Sequence, residues 1–210
     1  MKNNLFPIAK EGWKFIGFSI FALVLFNILD LDFLGLLSFL AMLFFIFVFR
    51  NPEREAPSFQ SNSVVSPVDG EIVSIEEIMD LDYAYKVEID SSYFNVSVLR
   101  TPLSSSVKSL NIQRGSRLSK NNKLMQQINE KAEIIFEDNE GNRLKLVHVL
   151  KRSFDSININ ATESKYFLQG SRYGLMLDGI TTIYLPQNFR LNITIGNEVK
   201  ASETLIGYFS

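Results

Sequence analysis

Two long apolar stretches open the chain, and a different pattern follows them. Phe15 to Leu29 is fifteen consecutive uncharged residues and Phe33 to Phe49 is seventeen, with Asp30-Leu31-Asp32 between them. Only Ser19, Asn27 and Ser38 are polar within these stretches. A helix on a soluble core would place polar residues every third or fourth position. The pattern therefore predicts a membrane hairpin over residues 1–50, with helices at about 13–29 and 33–50.

Lys2, Lys10 and Lys14 ahead of the first stretch also suit a signal peptide, but no small-residue cleavage site follows and a second apolar segment comes at once. At ~1.5 Å per residue each arm covers roughly 22–25 Å, a little less than a hydrocarbon core of about 30 Å. Either Trp13, Lys14 and Arg50 snorkel, or the hairpin is re-entrant. The connection carries two acids and no base, whereas Lys2, Lys10, Lys14, Arg50 and Arg54 flank the outer ends. The positive-inside bias then puts both termini and the main domain in the cytoplasm, on an inner-membrane anchor.

Asn51-Pro52-Glu53-Arg54-Glu55-Ala56-Pro57 is polar and punctuated by proline, which ends the second helix and opens a linker over 51–63. From Val64 the apolar positions fall into short β-rich runs: Glu71–Ile75, Tyr85–Ile89, Phe94–Leu99, Val107–Ile112, Leu144–Leu150, Ile157–Ile159, Thr181–Leu185, Leu191–Ile195 and Thr204–Tyr208. Leu124, Met125 and Ile128 at helical spacing predict a helix over Asn122–Lys131. The expected fold is mainly β: the helical hairpin, then a sandwich or barrel-like domain over 64–210 with one or two helices.

Composition removes much chemistry. The 210 residues include no Cys and one His, which excludes disulfides, thiolate metal sites, a cysteine nucleophile and a multi-histidine metal centre. No metal is expected. A net charge of −2 offers no field for nucleic acid. There is no dinucleotide fingerprint, P-loop, G-x-S-x-G or H-E-x-x-H. His148 alternates with Leu144, Leu146 and Leu150 on one strand face, the placing of a hydrogen-bonded core side chain rather than a general base.

Longer segments carry a resemblance. Phe49-Arg50-Asn51-Pro52-Glu53-Arg54 after the hairpin, then Val65-Ser66-Pro67-Val68-Asp69-Gly70-Glu71-Ile72-Val73, resembles the opening of the short-form phosphatidylserine decarboxylases. Phe94-Asn95-Val96-Ser97-Val98-Leu99-Arg100-Thr101-Pro102 resembles their strand with Asp-Val-His and then Arg-Ala-Pro, and Asn129-Glu130-Lys131 their Asn-Glu-Arg. Gln169 through Met176 is similar to the segment before their processing site, Ile183-Tyr184-Leu185-Pro186 to the segment after it, and Gly196 through Leu205 to their closing Gly…Val…Gly-Glu-Thr. The likeness is colinear over nearly the whole chain.

The resemblance implies a phospholipid enzyme that cuts itself at a Gly-Ser bond and turns the Ser into a pyruvoyl group, which then takes CO2 from phosphatidylserine to give phosphatidylethanolamine. The chain departs from the pattern where that chemistry lies. The stretch Leu177-Asp178-Gly179-Ile180-Thr181-Thr182 is one residue short, and Ile180 follows Gly179 where the family has Ser. Ser171 reads as a turn residue, Ser97 stands in place of the family histidine, and His148 aligns where the family usually has Gln. Of the family's catalytic set Asp69 alone persists, and an Asp-Gly turn explains it equally well.

Three readings follow. The first is a membrane protein of phospholipid metabolism without a pyruvoyl cofactor. It binds an inner-leaflet phospholipid, phosphatidylserine or phosphatidylethanolamine, or pairs with a phospholipid-synthesis enzyme or a second copy of itself. Arg100, Arg114 and Arg117, with Lys120 and Lys123, are its candidate headgroup cations. The second is an active decarboxylase matured at a non-serine site, with Thr181 or Thr182 making the acyl shift and leaving a 2-ketobutyryl end. The third is a lipoyl- or biotinyl-like interaction module, since Val65–Val73 and Gly196–Leu205 each resemble a half-motif of that fold.

Overall fold

The computed structural model describes residues 6–54, 59, 60 and 62–210. Most of the linker expected over 51–63 is described, but residues 55–58 and 61 lie outside the described residues. The chain forms two compact units, Met1–Glu53 and Arg54–Ser210.

The first unit is a helical hairpin, α1 (Trp13–Ile28) and α2 (Asp32–Val48). Their ends agree with the apolar stretches to within two residues. The tight connection needs a left-handed residue, and Asp30 supplies it at φ 54°, with Leu31 N–H donating back to the Phe26 carbonyl at 2.9 Å. At the open end Phe15 stacks on Phe45 and Phe49, with centroids 5.2 and 5.4 Å apart. A Cβ on Gly12 would lie 2.6 Å from the Phe49 side chain, so only glycine lets the chain enter α1 there. Ala9 N–H and Asn51 N–H close the base onto the Phe49 and Pro7 carbonyls. The outward faces stay apolar: Phe18 and Phe33 are each 76% exposed. Lys10–Ile28 is long and apolar enough to cross a membrane, whereas Asp32–Val48 is shorter.

The second unit is built from antiparallel strands. Its main sheet has eight, in the order β13 (Glu198–Val199), β2 (Gly70–Glu77), β3 (Tyr85–Ser91), β11 (Gly179–Leu185), β7 (Arg143–Leu150), β6 (Lys131–Glu137), β5 (Ser105–Gln113) and β9 (Tyr166–Phe167). Two three-stranded sheets accompany it. One is β1 (Ser63–Val65), β14 (Leu205–Phe209) and β12 (Phe189–Leu191); the other is β4 (Val98–Arg100), β10 (Arg172–Leu175) and β8 (Asn158–Ile159). The period-two alternation of apolar residues explains which face each strand buries. Ile134 and Phe136 of β6, Leu144 and Leu146 of β7 and Ile183 and Leu185 of β11 meet Val87, Ile89 and Tyr173 in one core. On the opposite face Ile180 and Val149 pack under Met125 of the one-turn helix α3 (Met125–Ile128).

Three expectations are corrected. The run Phe94–Leu99 does not form a strand throughout: β4 starts at Val98, because the Asn95 side chain accepts from Ser92 N–H (2.8 Å) and its hydroxyl (3.0 Å) and closes a turn. The run Leu191–Ile195 is likewise a strand only to Leu191, since Asn197 Oδ1 accepts from Thr194 N–H and Oγ1, and Gly196 adopts φ 86°. The helix over Asn122–Lys131 shrinks to α3. Asn129 leaves it to bond elsewhere, and Lys131 opens β6, whose buried Ala132, Ile134 and Phe136 alternate on period two.

Candidate functional site

One end of the main sheet gathers the residues that the sequence singles out. β2 begins there at Gly70, β3 ends at Ser91, β11 begins at Gly179 and β7 ends at Leu150, and Gly179 stands opposite both Ser91 and Leu150. Asp69 precedes Gly70, where a Cβ would lie 2.4 Å from the Asp90 carbonyl oxygen and glycine is required. The Ser91 hydroxyl donates to the Asp69 carbonyl at 2.6 Å, which ties the Asp69 turn to the strand beside Gly179. Met176 N–H donates to the Ser97 carbonyl at 2.9 Å, which brings Ser97 to the loop before β11.

Asp69 is buried and fully engaged. Arg54 grips it with both terminal nitrogens, Nη2 on Oδ2 at 2.6 Å and Nη1 on Oδ1, and Ala201 N–H donates to Oδ1 at 2.8 Å. Arg54 also donates to the Ala201 carbonyl at 2.9 Å and lies 3.5 Å from Glu203. Burial alone would lower the Arg54 pKa, but the hydrogen bond and charge of Asp69, with Glu203, outweigh it and hold it above its ordinary value. A carboxylate clamped in this way joins the start of β2 to the segment before β14. The Arg54 partner was missed in the sequence, where Arg54 reads only as a basic flank of the helices.

Gly179 and Ile180 begin the central strand β11. A Cβ on Gly179 would lie 2.5 Å from Met176 Sδ and 2.7 Å from the Val149 carbonyl oxygen, so the close approach of the preceding loop requires glycine. Ile180 carries no hydroxyl, and its side chain packs on Met125 and Val149. β11 pairs in unbroken register from Gly179 to Leu185 with β3 on one side, and from Gly179 to Tyr184 with β7 on the other. Thr181 and Thr182 are buried within that ladder.

The lone histidine touches this strand. His148 Nδ1 is 2.8 Å from Thr181 Oγ1 and His148 Nε2 is 2.7 Å from the Tyr173 hydroxyl, all three groups being fully buried. Burial lowers the His148 pKa to about 3 and raises that of Tyr173 well above its ordinary value. The ring is therefore neutral, one nitrogen donating and the other accepting, and both neighbouring hydroxyls are satisfied. As the strand alternation implies, it is a hydrogen-bonded core side chain.

A charged cluster that the sequence did not reveal flanks Gly179. Lys151 Nζ bonds Asp90 and lies 3.0 Å from Asp178 Oδ1, and Lys120 Nζ is 2.8 Å from the other oxygen of Asp90. Burial would raise the Asp90 pKa, but the two ammonium groups hold it below the ordinary value. Its members come from four separate segments, so no local spacing signals it.

The Asn-Glu pair works by a similar logic. Asn129 accepts from Leu118 N–H and donates to the carbonyls of Leu118 (2.9 Å) and Leu150 (2.6 Å), which fixes the end of β7 opposite Gly179. Glu130, almost wholly buried, accepts from Arg114 and from Ile157 N–H (3.1 Å), with Arg117 3.5 Å away. Of the three candidate headgroup arginines, Arg114 and Arg117 thus meet at Glu130. Arg100 sits apart on β4, buried, donating to the Gly170 carbonyl and standing opposite Arg172 on β10. Among the described residues no group of acidic or histidine side chains could hold a metal ion.

The chain is similar to known proteins over nearly its whole length. A family model described as phosphatidylserine decarboxylase matches residues 41–207. A protein of Desulfotalea psychrophila named phosphatidylserine decarboxylase proenzyme is 31% identical over 206 residues, covering 96% of each chain. Proteins of the same name from Geotalea daltonii and Syntrophus aciditrophicus are 32% and 30% identical, covering 99% and 100% of both chains.

Proposed function

The chain belongs to the phosphatidylserine decarboxylase family, and we propose that within it the protein forms no serine-derived pyruvoyl group and serves phospholipid metabolism by binding a phospholipid or a partner enzyme of the same pathway. The observation that carries this reading is Ile180 after Gly179 in an uninterrupted central strand. A pyruvoyl group starts from a hydroxyl that attacks the preceding carbonyl to give an ester, which then eliminates. Ile180 has no such hydroxyl, and Ser97 offers no base near neutral pH. The residues present do not fit the pyruvoyl group.

The hairpin is the membrane anchor in this reading. Its apolar outer faces support that role, and the acidic Asp30-Leu31-Asp32 turn against the basic outer ends supports an inner-membrane anchor with the β domain in the cytoplasm. Arg114, whose side chain stays 63% exposed beside Glu130, is the cation we assign to an anionic headgroup, with Arg117 next to it.

One observation favours the second reading, maturation at a threonine. His148 lies 2.8 Å from the Thr181 hydroxyl, and Tyr173 holds the far side of the ring, the geometry of an activated nucleophile. Against it stand the burial of Thr181 and the in-register pairing on both sides, which hold the Ile180–Thr181 peptide flat.

The intact mass of the purified full chain in detergent, beside a denaturing gel, decides between them. A single species of 24.0 kDa is expected. Two chains, the smaller ending at Ser210 and opening with a 2-ketobutyryl group at position 181, would establish the threonine-derived enzyme and overturn the non-catalytic reading.

A further inference from the structure

The two helices of the hairpin do not close on each other along their whole length. Between them lies a groove of about 610 Å3, walled by Phe15, Phe18, Leu37 and Phe45. Its size falls within the range of small-molecule sites. Ala22 and Ala41 leave the space open, and Ser19 and Ser38, both buried, contribute the polar atoms of its inner side.

Those hydroxyls are already used. Ser19 Oγ donates to the Phe15 carbonyl and Ser38 Oγ to the Leu34 carbonyl, each at 2.9 Å and four residues back on its own helix. Such back-bonding leaves the groove with little to offer a polar occupant. What suits it is hydrocarbon. One charged group belongs to the lining: Lys14, in the first turn of α1, whose ammonium stands 4.6 Å above the Phe15 ring.

We infer that this groove is a binding site for an acyl chain of an anionic phospholipid, with the lipid's phosphate held at Lys14. The inference rests on the reading of the hairpin as a membrane anchor. Charge complementarity selects the occupant: an apolar slot ending at a cation matches an amphiphile with an anionic head. A second copy of the chain fits less well, because a two-fold mate in the same bilayer brings two Lys14 ammonium groups to the same depth, where they repel.

Trp13 is the chain's single tryptophan and neighbours Lys14, so its fluorescence reads the site. The full chain is reconstituted in phosphatidylcholine vesicles that carry a minor fraction of either phosphatidylglycerol or phosphatidylcholine brominated near the top of the acyl chain. One lysine facing an anionic lipid supports roughly a fivefold preference, so brominated phosphatidylglycerol should quench Trp13 well beyond brominated phosphatidylcholine. Ala22→Leu and Ala41→Leu, which fill the groove without altering charge, should each bring the two lipids to equal quenching, and Lys14→Gln should do the same.

Equal quenching in the unaltered chain marks ordinary surrounding lipid and overturns the inference. Selective quenching that survives both leucine variants reports surface charge alone and also overturns it. If chemical cross-linking captures a dimer that the leucine variants abolish while quenching is unchanged, the occupant is a second copy and the inference falls. Quenching by neither lipid overturns the membrane reading itself, a result distinct from failure of the groove.

Discussion

Acid should destabilise the β domain through one residue. His148 has a folded-state pKa of about 3 because it is buried, against 6.5 in an unfolded chain. Below pH 6.5 the unfolded chain therefore takes up a proton that the native ring refuses, and stability falls as the pH drops through the window from 6.5 to 3. Within that window the slope is about 1.4 kcal/mol per pH unit, so the His148 contribution alone is about 2 kcal/mol by pH 5 relative to neutral and approaches about 5 kcal/mol near pH 3. The groups facing the ring are Thr181 Oγ1 and the Tyr173 hydroxyl, neither of which titrates there.

The comparison that isolates the His148 contribution is His148→Gln. A glutamine keeps one donor and one acceptor for the two hydroxyls and carries no titrating group. Urea unfolding of the full chain in detergent, followed by the β-sheet circular-dichroism band, gives stability at each pH. Carboxylates such as Asp90, held below its ordinary pKa by Lys120 and Lys151, contribute equally to both proteins and cancel in the difference. The expected result is a gap between wild type and variant that widens in the variant's favour as pH falls from 6.5 to 4.5. Parallel curves over that interval would mean that the unprotonated ring is not favoured by burial, and would refute the account of the Thr181–His148–Tyr173 chain.

Other consequences are equally specific. Arg54→Gln leaves Asp69 buried without its cation and should cost about 3–5 kcal/mol, read as a lowered thermal midpoint that the additional change Asp69→Asn partly restores. Gly179→Ala drives a methyl against Met176 Sδ and the Val149 carbonyl, so about 1–3 kcal/mol of destabilisation is expected; an unchanged urea midpoint would show that the loop gives way freely. Ile180→Ser supplies the missing hydroxyl in a strand paired on both sides and with Ser97 still in place of a base, so its intact mass should remain that of the uncut chain. Cleavage of that variant would show that the hydroxyl was the sole missing element.

Much of the fold is legible because it follows from periodicity. The hairpin helices follow from two uncharged runs, and β7 from strict alternation around His148. Errors arose where a side chain competes with the backbone pattern. Asn95 and Asn197 each fold a locally β-prone run into a turn, and nothing about Phe94 or Ile195 reveals that. The loss of β6 had a different cause. Helical spacing at Leu124, Met125 and Ile128 runs up against the strand that starts at Lys131, and the alternation of Ala132, Ile134 and Phe136 is the competing signal.

The candidate site was legible in position and less so in meaning. Asp69, Ser97 and Gly179 do assemble at one end of the sheet, as their shared likeness to one family requires. Yet the contacts that define their environment are long-range: Arg54 to Asp69 spans 15 residues, Lys151 to Asp90 61, and Ala201 to Asp69 132. These contacts change what persistence of a family segment means. Asp69 anchors Arg54 and the Ala201 backbone, Asn129 holds the end of β7, and Glu130 carries Arg114 and the Ile157 amide. Replacing any of the three would strand buried polar groups, a penalty that applies whether or not any chemistry occurs. Ser97 meets the loop before β11 through its backbone carbonyl, and Ile180 meets α3 through apolar contact. On the proposed non-catalytic reading, segments that hold the fold together stay family-like whatever the chemistry, so Ile180, which has no hydroxyl, and Ser97, which is no base near neutral pH, weigh more in assigning the activity than Asp69 does.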